Sequence, residues 1–481
     1  MGKGRRAGSQ ALICYSATPN EGPQAASLMI VDWLPTPSQH FLVSAIALLI
    51  YVLTTRARDQ RRAPTAAIAW VLGLALVPYV MLPLYVLFGQ RKLSPVFTPY
   101  AGVVVEGPHW AAELIESFGL APPSICKIRM HADGAQARDA LFRIIDGAQR
   151  SLDISTFIIG NDEFGEEVVA RLASRAAAGV EVRLLLDGFF ALLLPRRFVK
   201  KLHAAGANVA VFRPFLSLRR LGPRNLRNHR KLVVADDSYL WCGGRNLAAE
   251  YFLGNGQQTV WPDLSFDLHG PVAAAAGRQF DLDWNTTTLR RPVRERHADT
   301  LDDGALAQFL PSGPDQVEDT AQSLLIDGCY RARRRFLVVT PYFVPDDSLR
   351  AAMRLAARRG VKVTIAIPQR SNHLLADFVR SRPMRDLAAA GVEFRLLPTM
   401  VHAKAVVIDE TLAMCGSINL DLRSLLLNHE AAVVFYGAEQ IDWLAAWIDA
   451  MAHKGSMYRA EPPGLLRDIA EGVLLTVAFQ L

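Results

Sequence analysis

Charged residues disappear twice from the N-terminal region of this chain. No Asp, Glu, Lys or Arg falls between Leu34 and Thr55, whose apolar centre reads FLVSAIALLIYVL, and none between Thr65 and Phe88, TAAIAWVLGLALVPYVMLPLYVLF. A helix needs about 20 apolar residues to cross a hydrocarbon core of about 30 Å, so each run is long enough. Pro35, Pro37, Gln39 and His40 dilute the start of the first. Trp70 and Tyr85 stand near the ends of the second and arginines flank it, as at membrane–water interfaces rather than in paired core helices. The pattern predicts a transmembrane helical hairpin over residues 34–90. Residues 1–33 read as a disordered tail, and no short apolar run follows Lys3, Arg5 and Arg6 closely enough for a cleaved signal peptide.

After a linker to about residue 120, short apolar runs alternate with amphipathic stretches, and the pattern then repeats. SLDISTFIIGND (151–162) corresponds to RRFLVVTPYFVPDD (334–347), and GVEVRLLLDG (179–188) to GVKVTIAIPQ (360–369), the latter pair each preceded by an Ala- and Arg-rich helical pattern. AAGANVAVFRPF likewise corresponds to AAGVEFRLLPTM. Strand, helix, strand is the rhythm of a βαβ unit. The predicted fold class is α/β, with two similar domains over 121–290 and 320–462, each a mixed sheet between helices. An Arg-, Pro-, Thr- and Asp-rich stretch from about 286 to 320 reads as their connection, and 463–481 as a C-terminal tail.

The last part of each repeat carries the chemistry. NHRKLVVADD (228–237) and VHAKAVVIDE (401–410) place Lys two residues after His and Asp five further on; matching offsets reach Gly243 and Gly416, Gly244 and Ser417, Asn246 and Asn419. The run after Lys231 is strand-like, and period 2 sets His229 and Lys231 on one face with Arg230 on the other; His402 and Lys404 share the geometry. An imidazole beside a fixed ammonium suits attack on an anionic phosphorus centre, with Lys neutralising phosphate oxygens and His supplying a nucleophilic nitrogen. In a pair, one His becomes phosphorylated while the other protonates the leaving alcohol and deprotonates the incoming one. The Gly-Gly-Arg-Asn and Gly-Ser-Ile-Asn elements end their strands in tight turns that bring an Asn donor towards the phosphate. A lone strand His is ordinarily a core or surface residue, whereas matched offsets in duplicate argue for catalysis.

Composition narrows the partners. Length 481 suits two domains, and 53 Lys and Arg against 46 Asp and Glu give a net charge of +7 and a pI near 9.2. That excess favours anionic partners without choosing between phospholipid and nucleic acid. The five cysteines form no CxxC pair; Cys242 and Cys415 lie in apolar runs and read as small buried strand residues. No HExxH or carboxylate cluster accompanies either His, so neither metal nor cofactor is expected.

At these residues the chain resembles the phospholipase D superfamily, whose signature is HxKxxxxD followed by GG or GS and an Asn, used in pairs. Within it the chain is similar to bacterial cardiolipin synthases from the paired N-terminal spans to about residue 460, through PLYVLFGQRK, HADGAQARDALFRIIDGAQRSLDI, NHRKLVVAD with GGRNLAAEY, TPYFVPDD, and MVHAKAVVID with GSINLDLRSLLLNHE. The resemblance implies one composite site between two phospholipase D-like domains. It implies catalytic roles for His229, Lys231, Asp236, His402, Lys404 and Asp409, and substrate binding by Gly244, Asn246, Ser417 and Asn419. Glu250 and Glu430 match acidic positions that support the catalytic His. The implied reaction joins two phosphatidylglycerol molecules with release of glycerol through a phosphatidyl-histidine, His229 as nucleophile and His402 as acid/base, although the sequence itself does not rank the two. Pro262 interrupts the expected Trp-Arg-Asp in WPDLSF, and STFIIGND stands where the family usually has a Tyr-Tyr-Ile-Phe type of strand end.

The expected partners are phosphatidylglycerol, other anionic phospholipids and a bilayer, without nucleic acid, in a multi-pass protein of the bacterial inner membrane. Arg56, Arg58, Arg61 and Arg62 between the spans outnumber Arg91 and Lys92 after the second, favouring a cytoplasmic loop and external catalytic region by a margin that leaves the side open. Arg213 to Lys231 holds seven basic and no acidic residues, interleaved with Phe215, Leu216, Leu218 and Leu221, downstream of FFALLLPRRFVKK. The stretch reads either as a solvated loop or as an interfacial ramp on anionic lipid. Three other functions share features of the chain: a hydrolytic phospholipase D, a nuclease, which the apolar-basic surfaces disfavour, and a non-catalytic lipid-binding scaffold, which two intact motifs disfavour.

Overall fold

The computed structural model describes residues 35–57, 64–89, 91–93, 109–214, 225–254, 260–289 and 295–477. These fall into two compact units, parted at Leu53–Thr54 and at Pro83–Leu84. The expected tail over 1–33 lies outside the described residues, as do Arg58, Arg61 and Arg62.

The first unit is apolar. Helix α1 (Pro37–Ala57) contains a 20-residue stretch, Pro37–Arg56, long and apolar enough to cross a membrane. The second expected span is not one helix but two, α2 (Pro64–Leu76) and α3 (Pro78–Phe88), so the described residues hold one helix that meets the length for crossing by itself. Pro78 is the reason: it has no N–H to donate and disfavours helical geometry at Val77 before it. Hydrogen bonding still runs through the break, from Val77 N–H to Gly73 O (2.9 Å) and Met81 N–H to Val77 O (3.0 Å). Ser44 Oγ donates to Ala75 O (3.0 Å), tying α1 to α2.

The second unit is built on a single 15-stranded sheet. Its first half contributes β1 (Ser124–His131), β2 (Ser151–Thr156), β3 (Glu181–Asp187), β4 (Asn208–Phe212), β5 (Leu232–Ala235), β6 (Tyr239–Gly243) and β7 (Ser265–His269). The second contributes β8 (Ala305–Ser312), β9 (Arg335–Val339), β11 (Lys362–Pro368), β12 (Glu393–Leu397), β13 (Ala405–Ile408), β14 (Leu412–Gly416), β16 (Glu430–Phe435) and β17 (Ser456–Met457), while β10 (Phe343–Val344) and β15 (Leu420–Asp421) pair separately. Across the sheet the order β4-β3-β2-β5-β6-β7-β1 meets β8-β16-β14-β13-β9-β11-β12-β17, so the halves mirror one another about the antiparallel seam β1–β8. Each half is mixed: β2, β3 and β4 are parallel, as are β9, β11 and β12, and the remaining ladders of the sheet are antiparallel. The stretch read as a connection therefore contains the seam strand β8.

Helices cover both faces. In the first half α5 (Gly134–Gly147), α6 (Glu163–Ala177) and α7 (Arg196–Ala204) pack on one face and α8 (Pro271–Thr288) on the other. In the second, α9 (Thr320–Arg331), α10 (Asp347–Arg358) and α12 (Ser381–Ala388) pack on one face and α14 (Ala438–Lys454) on the other. α4 (Trp110–Ser117), within the expected linker, joins the second half's core through Trp110, Ala111 and Ile115. α11 (Leu374–Val379) precedes α12, α13 (Leu422–Leu426) follows β15, and α15 (Leu465–Val477) occupies the predicted tail. Strands buried on both faces read as continuous apolar runs. In β5, Leu232 and Val234 enter the core under α8 while Val233 and Ala235 enter the core under α5 to α7. The core under α8 also holds Ile441, Leu444 and Ile448 of α14, making one apolar layer beneath both halves. Acidic N-caps fix where helices start: Asp162 accepts from Gly165 N–H (2.8 Å) before α6, and Asp346 from Ser348 N–H (3.0 Å) before α10.

Candidate active site

β5 runs antiparallel to β2, with Ser155 opposite Leu232, so the residues entering β5 sit beside the C-terminal end of β2. β13 meets β9 in the same way, with Ala405 opposite Val339. The entering residues are His229 and Lys231 in one half and His402 and Lys404 in the other, all buried. The halves interlock through their backbones here. His229 N–H donates to His429 O (2.9 Å), His429 N–H to Arg227 O (2.8 Å), and His402 N–H to Pro262 O (2.8 Å). Pro262 thus supplies the carbonyl the place requires and forgoes only a bond that its missing N–H would have made.

The carboxylates are crossed between the halves. Glu430, at the start of β16, takes a hydrogen bond from Nδ1 of His229 (2.9 Å), and Asp263, just before β7, takes one from Nδ1 of His402 (2.7 Å). Glu430 was expected beside a His; Glu250 was too, but its place is held by Asp263. Glu250 lies on a short 3-10 turn, half-buried, its carbonyl accepting from Trp261 N–H (3.1 Å). Glu430 also receives Ser417 Oγ (2.5 Å), Ser424 Oγ (2.6 Å) and Asn428 Nδ2 (3.3 Å). For Asp263 the further donor is Leu264 N–H (2.7 Å), and Gly244 is bare because a Cβ there would run into the Asp263 carboxylate. Gly244 and Ser417, expected to contact substrate, lie against these two carboxylates.

Burial sets the electrostatics. It drives the His229 pKa down to about 4 against the pull of Glu430, and that of His402 to about 3, with Lys404 adding to the fall. Burial thus favours the neutral form of both imidazoles, and Nδ1–H on each carboxylate would turn Nε2 into the acceptor, which in His402 faces Lys404 Nζ. Burial opposes charge on Glu430 and Asp263 too, but His229 and His402 outweigh it and hold both carboxylates below their usual range. Burial also lowers Lys231 to about 7 and Lys404 to about 8, despite Glu430 and Asp263. Lys231 Nζ donates to His229 O (2.9 Å), and Lys404 Nζ lies 2.8 Å from His402 Nδ1 and 3.0 Å from Nε2. An anionic phosphate between the two lysines would favour their charged forms, which burial opposes. The buried side-chain oxygens of Asn246 and Asn419 have no partner among the described residues, and it is the amide NH2 of each, not this oxygen, that could donate to a phosphate. Aromatic walls close the rings in: Phe157 stands 4.8 Å from His229 and Tyr251 4.9 Å from His402, centroid to centroid.

The motif aspartates lie elsewhere. Asp236 and Asp409 occupy the β5–β6 and β13–β14 turns, at the far end of the strand from the histidines, with φ of 53° and 48°. Asp236 accepts the N–H groups of Gln149, Arg150 and Ser151 (2.7 to 2.9 Å), and Asp409 those of Arg333, Arg334 and Arg335 (2.8 Å each). They tie their turns to the loops before β2 and β9, a structural duty rather than the catalytic one expected. Arg230, by contrast, follows the parity of Leu232 and Val234 to the α8 face. It grips Asp283 (2.6 and 2.7 Å), Asp315 (3.0 and 2.9 Å) and Glu430 O (2.9 Å). Asp283, Asp315 and His429 bring ligand atoms within 4.8 Å of one another, and the cation between the two carboxylates is this guanidinium. The ramp residues Phe215, Leu216, Leu218, Arg219, Arg220 and Leu221 lie outside the described residues. Cys126, Cys242, Cys329 and Cys415 are free and buried, as read for the strand pair.

Comparison with known proteins follows the same residues. The family profile described as "Cardiolipin synthase, PLD-like domain" matches residues 141–284 and 325–452. Proteins named cardiolipin synthase A from Pseudomonas aeruginosa and Pseudomonas putida are 30% and 32% identical over 418 residues, covering 82% of this chain and 85% and 86% of theirs. The fold is similar to that of phosphatidylserine synthase from Haemophilus influenzae, with a TM-score of 0.59 at 14% identity over 77% of this chain and 99% of that one.

Proposed function

Because this chain belongs to the cardiolipin synthase family of phospholipase D-like proteins, we propose that it is a membrane phosphatidyltransferase that joins two phosphatidylglycerol molecules into cardiolipin and releases glycerol. The observation that carries the reading is a single buried site in which two histidines, two lysines and two crossed carboxylates converge from both halves.

Nε2 of neutral His229 attacks the phosphorus of the first lipid, and the bond from phosphorus to the glycerol oxygen breaks. His402, which takes up a proton at Nε2 from solvent once the phosphodiester anion is bound, gives that oxygen the proton, leaving a phosphatidyl group on His229. The terminal hydroxyl of the second lipid then returns a proton to His402 and attacks phosphorus, breaking the N–P bond. Lys231, Lys404, Asn246 and Asn419 take the phosphate oxygens, while Asp236 and Asp409 hold the turns. The carboxylates favour this ranking of the histidines. Glu430 spreads its charge over three donors besides His229, whereas Asp263 keeps more for an imidazolium at His402. A bound phosphodiester anion beside the two lysines restores proton affinity to His402.

The two apolar stretches support a place for the enzyme in the bacterial inner membrane. α1 exposes Phe41 and Leu42, and the α2–α3 pair exposes Ile68 and Leu76, surfaces suited to lipid. The hydrogen bonds running through Val77 favour reading α2 and α3 as one kinked second span, and so the multi-pass topology.

Product analysis by mass spectrometry tests the reaction, using the detergent-purified full chain on phosphatidylglycerol vesicles with His402→Ala as control. Cardiolipin and glycerol in equal amounts, lost in the variant, is the expected outcome. Phosphatidic acid as the sole lipid product would make the chain a hydrolase.

A further inference from the structure

The two halves present exposed leucines at corresponding places. β3 and β11 are equivalent strands, each parallel to the strand beside its histidine, and both end at the edge of the sheet that holds the site. Asp187, the last residue of β3, accepts the N–H of Asn228 next to His229 (2.9 Å). Just past β3 come Leu192 and Leu193, 59% and 70% exposed; just past β11 come Leu374 and Leu375, 83% and 37% exposed. Soluble surfaces carry single exposed leucines freely, but paired ones repeated by internal symmetry around one site call for an apolar neighbour.

Three observations identify that neighbour. An aromatic path leads from the first pair to the chemistry: Phe189 meets Phe190 at 5.2 Å, Phe190 meets Phe157 at 4.6 Å, and Phe157 meets His229. Cations flank the leucines, with Arg196, Lys200 and Lys201 exposed on α7 and Arg370 exposed before α11. α15, packed on α11 and α12, is amphipathic in reverse: Glu471 pairs with Arg385 of the body and with Arg467, while Leu466 and Ile469 face outward. An apolar stripe turned away from the body beside a cationic belt is the surface of an interfacial helix.

We propose that this edge, formed by Leu192, Leu193, Leu374, Leu375 and the outer face of α15, is seated in the headgroup and upper acyl layer of an anionic leaflet. The inference rests on the phosphatidyltransferase reading and adds how substrate arrives. The lipid keeps its chains in the leaflet, its glycerol backbone crosses the Phe157–Phe190 rim, and only the phosphate enters the site.

The test uses the full chain reconstituted in phosphatidylglycerol-containing vesicles, with Cys14→Ser and single nitroxide labels at Leu193→Cys, Leu374→Cys or Glu410→Cys, the last at the opposite edge. Labels at 193 and 374 are expected to relax more with dissolved oxygen than with a water-soluble nickel chelate, and the 410 label the reverse. Rim labels that behave like the 410 label overturn the proposal. So does spin–spin broadening that vanishes on dilution with unlabelled protein, which would assign the surface to a second copy. In activity, changing all four leucines to Ser is expected to lower turnover of vesicle lipid about tenfold relative to a short-chain phosphatidylglycerol dissolved as monomers. An unchanged ratio counts against the rim. Wild-type protein inactive on both substrates would instead defeat the transferase reading, leaving the nitroxide result to stand alone.

Discussion

Gly244 and Ser417 occupy the same place in the two halves, yet neither fits the other's surroundings. Ser at 244 would collide with Asp263, and Gly at 417 would deprive Glu430 of its closest hydroxyl donor. The duplicate motif made these positions legible, but not their division of labour, because their partners come from outside each motif. At the same scale, burial of the two imidazoles links folding to pH. The folded pKa values, about 4 for His229 and about 3 for His402, lie below the unfolded value of 6.5, so the unfolded chain binds more protons as pH falls from 6.5. Their contribution to stability is therefore intact above pH 6.5 and is eroded below it. Asp421, which burial raises to about 7, and Asp187, also raised by burial, work in the opposite sense, so a difference isolates the histidine. His402→Gln is expected to gain on wild type in apparent Tm between pH 6.5 and 4, read by scanning fluorimetry in detergent. A constant offset across that window would mean that His402 is not held neutral.

Strands and turns were the most readable elements, because apolar runs of four to seven residues repeat in register from β2 to β5 and from β9 to β13. The same runs already held the clue to the motif aspartates. Five residues of strand beyond Lys231 span about 16 Å, too far for Asp236 to share a phosphate with it. Asp236 instead combines a left-handed backbone, which Asp and Asn tolerate best, with three accepted N–H groups. Asp236→Ala is expected to cost about 2 kcal/mol or more of stability. The fraction that remains folded should keep a kcat within about threefold of wild type, since the site itself is untouched. A large kcat loss at unchanged stability would return Asp236 to the catalytic set. Two elements escaped the sequence for opposite reasons: β8 is a short apolar run, ALAQFLPS, set between polar flanks that hid it, while Pro78 splits a run whose hydropathy is unbroken.

Across the whole molecule, the site was half legible. Pattern and spacing supplied the rings and the lysines; Asp263 showed only as the last residue of the interrupted Trp-Arg-Asp pattern, with nothing to tie it to His402, and the partners of Arg230 lie far along the chain. Lys92, after α3, shows how far such ties reach. Its ammonium donates to the carbonyls of Gly313, Gln316 and Glu318 in the loop that also carries Asp315, a partner of Arg230. Glu430→Gln and Asp263→Asn, each in the half opposite the ring it serves, are expected to lower kcat by about 10²- to 10⁴-fold in steady-state assays, with KM little changed. Near-normal kcat in either variant would dissolve the crossed pairing. That pairing bears on how the chain could evolve. A duplicated segment ordinarily leaves one copy free to drift; here each copy owns the histidine that the other must keep in order, so selection acting on either is selection acting on both.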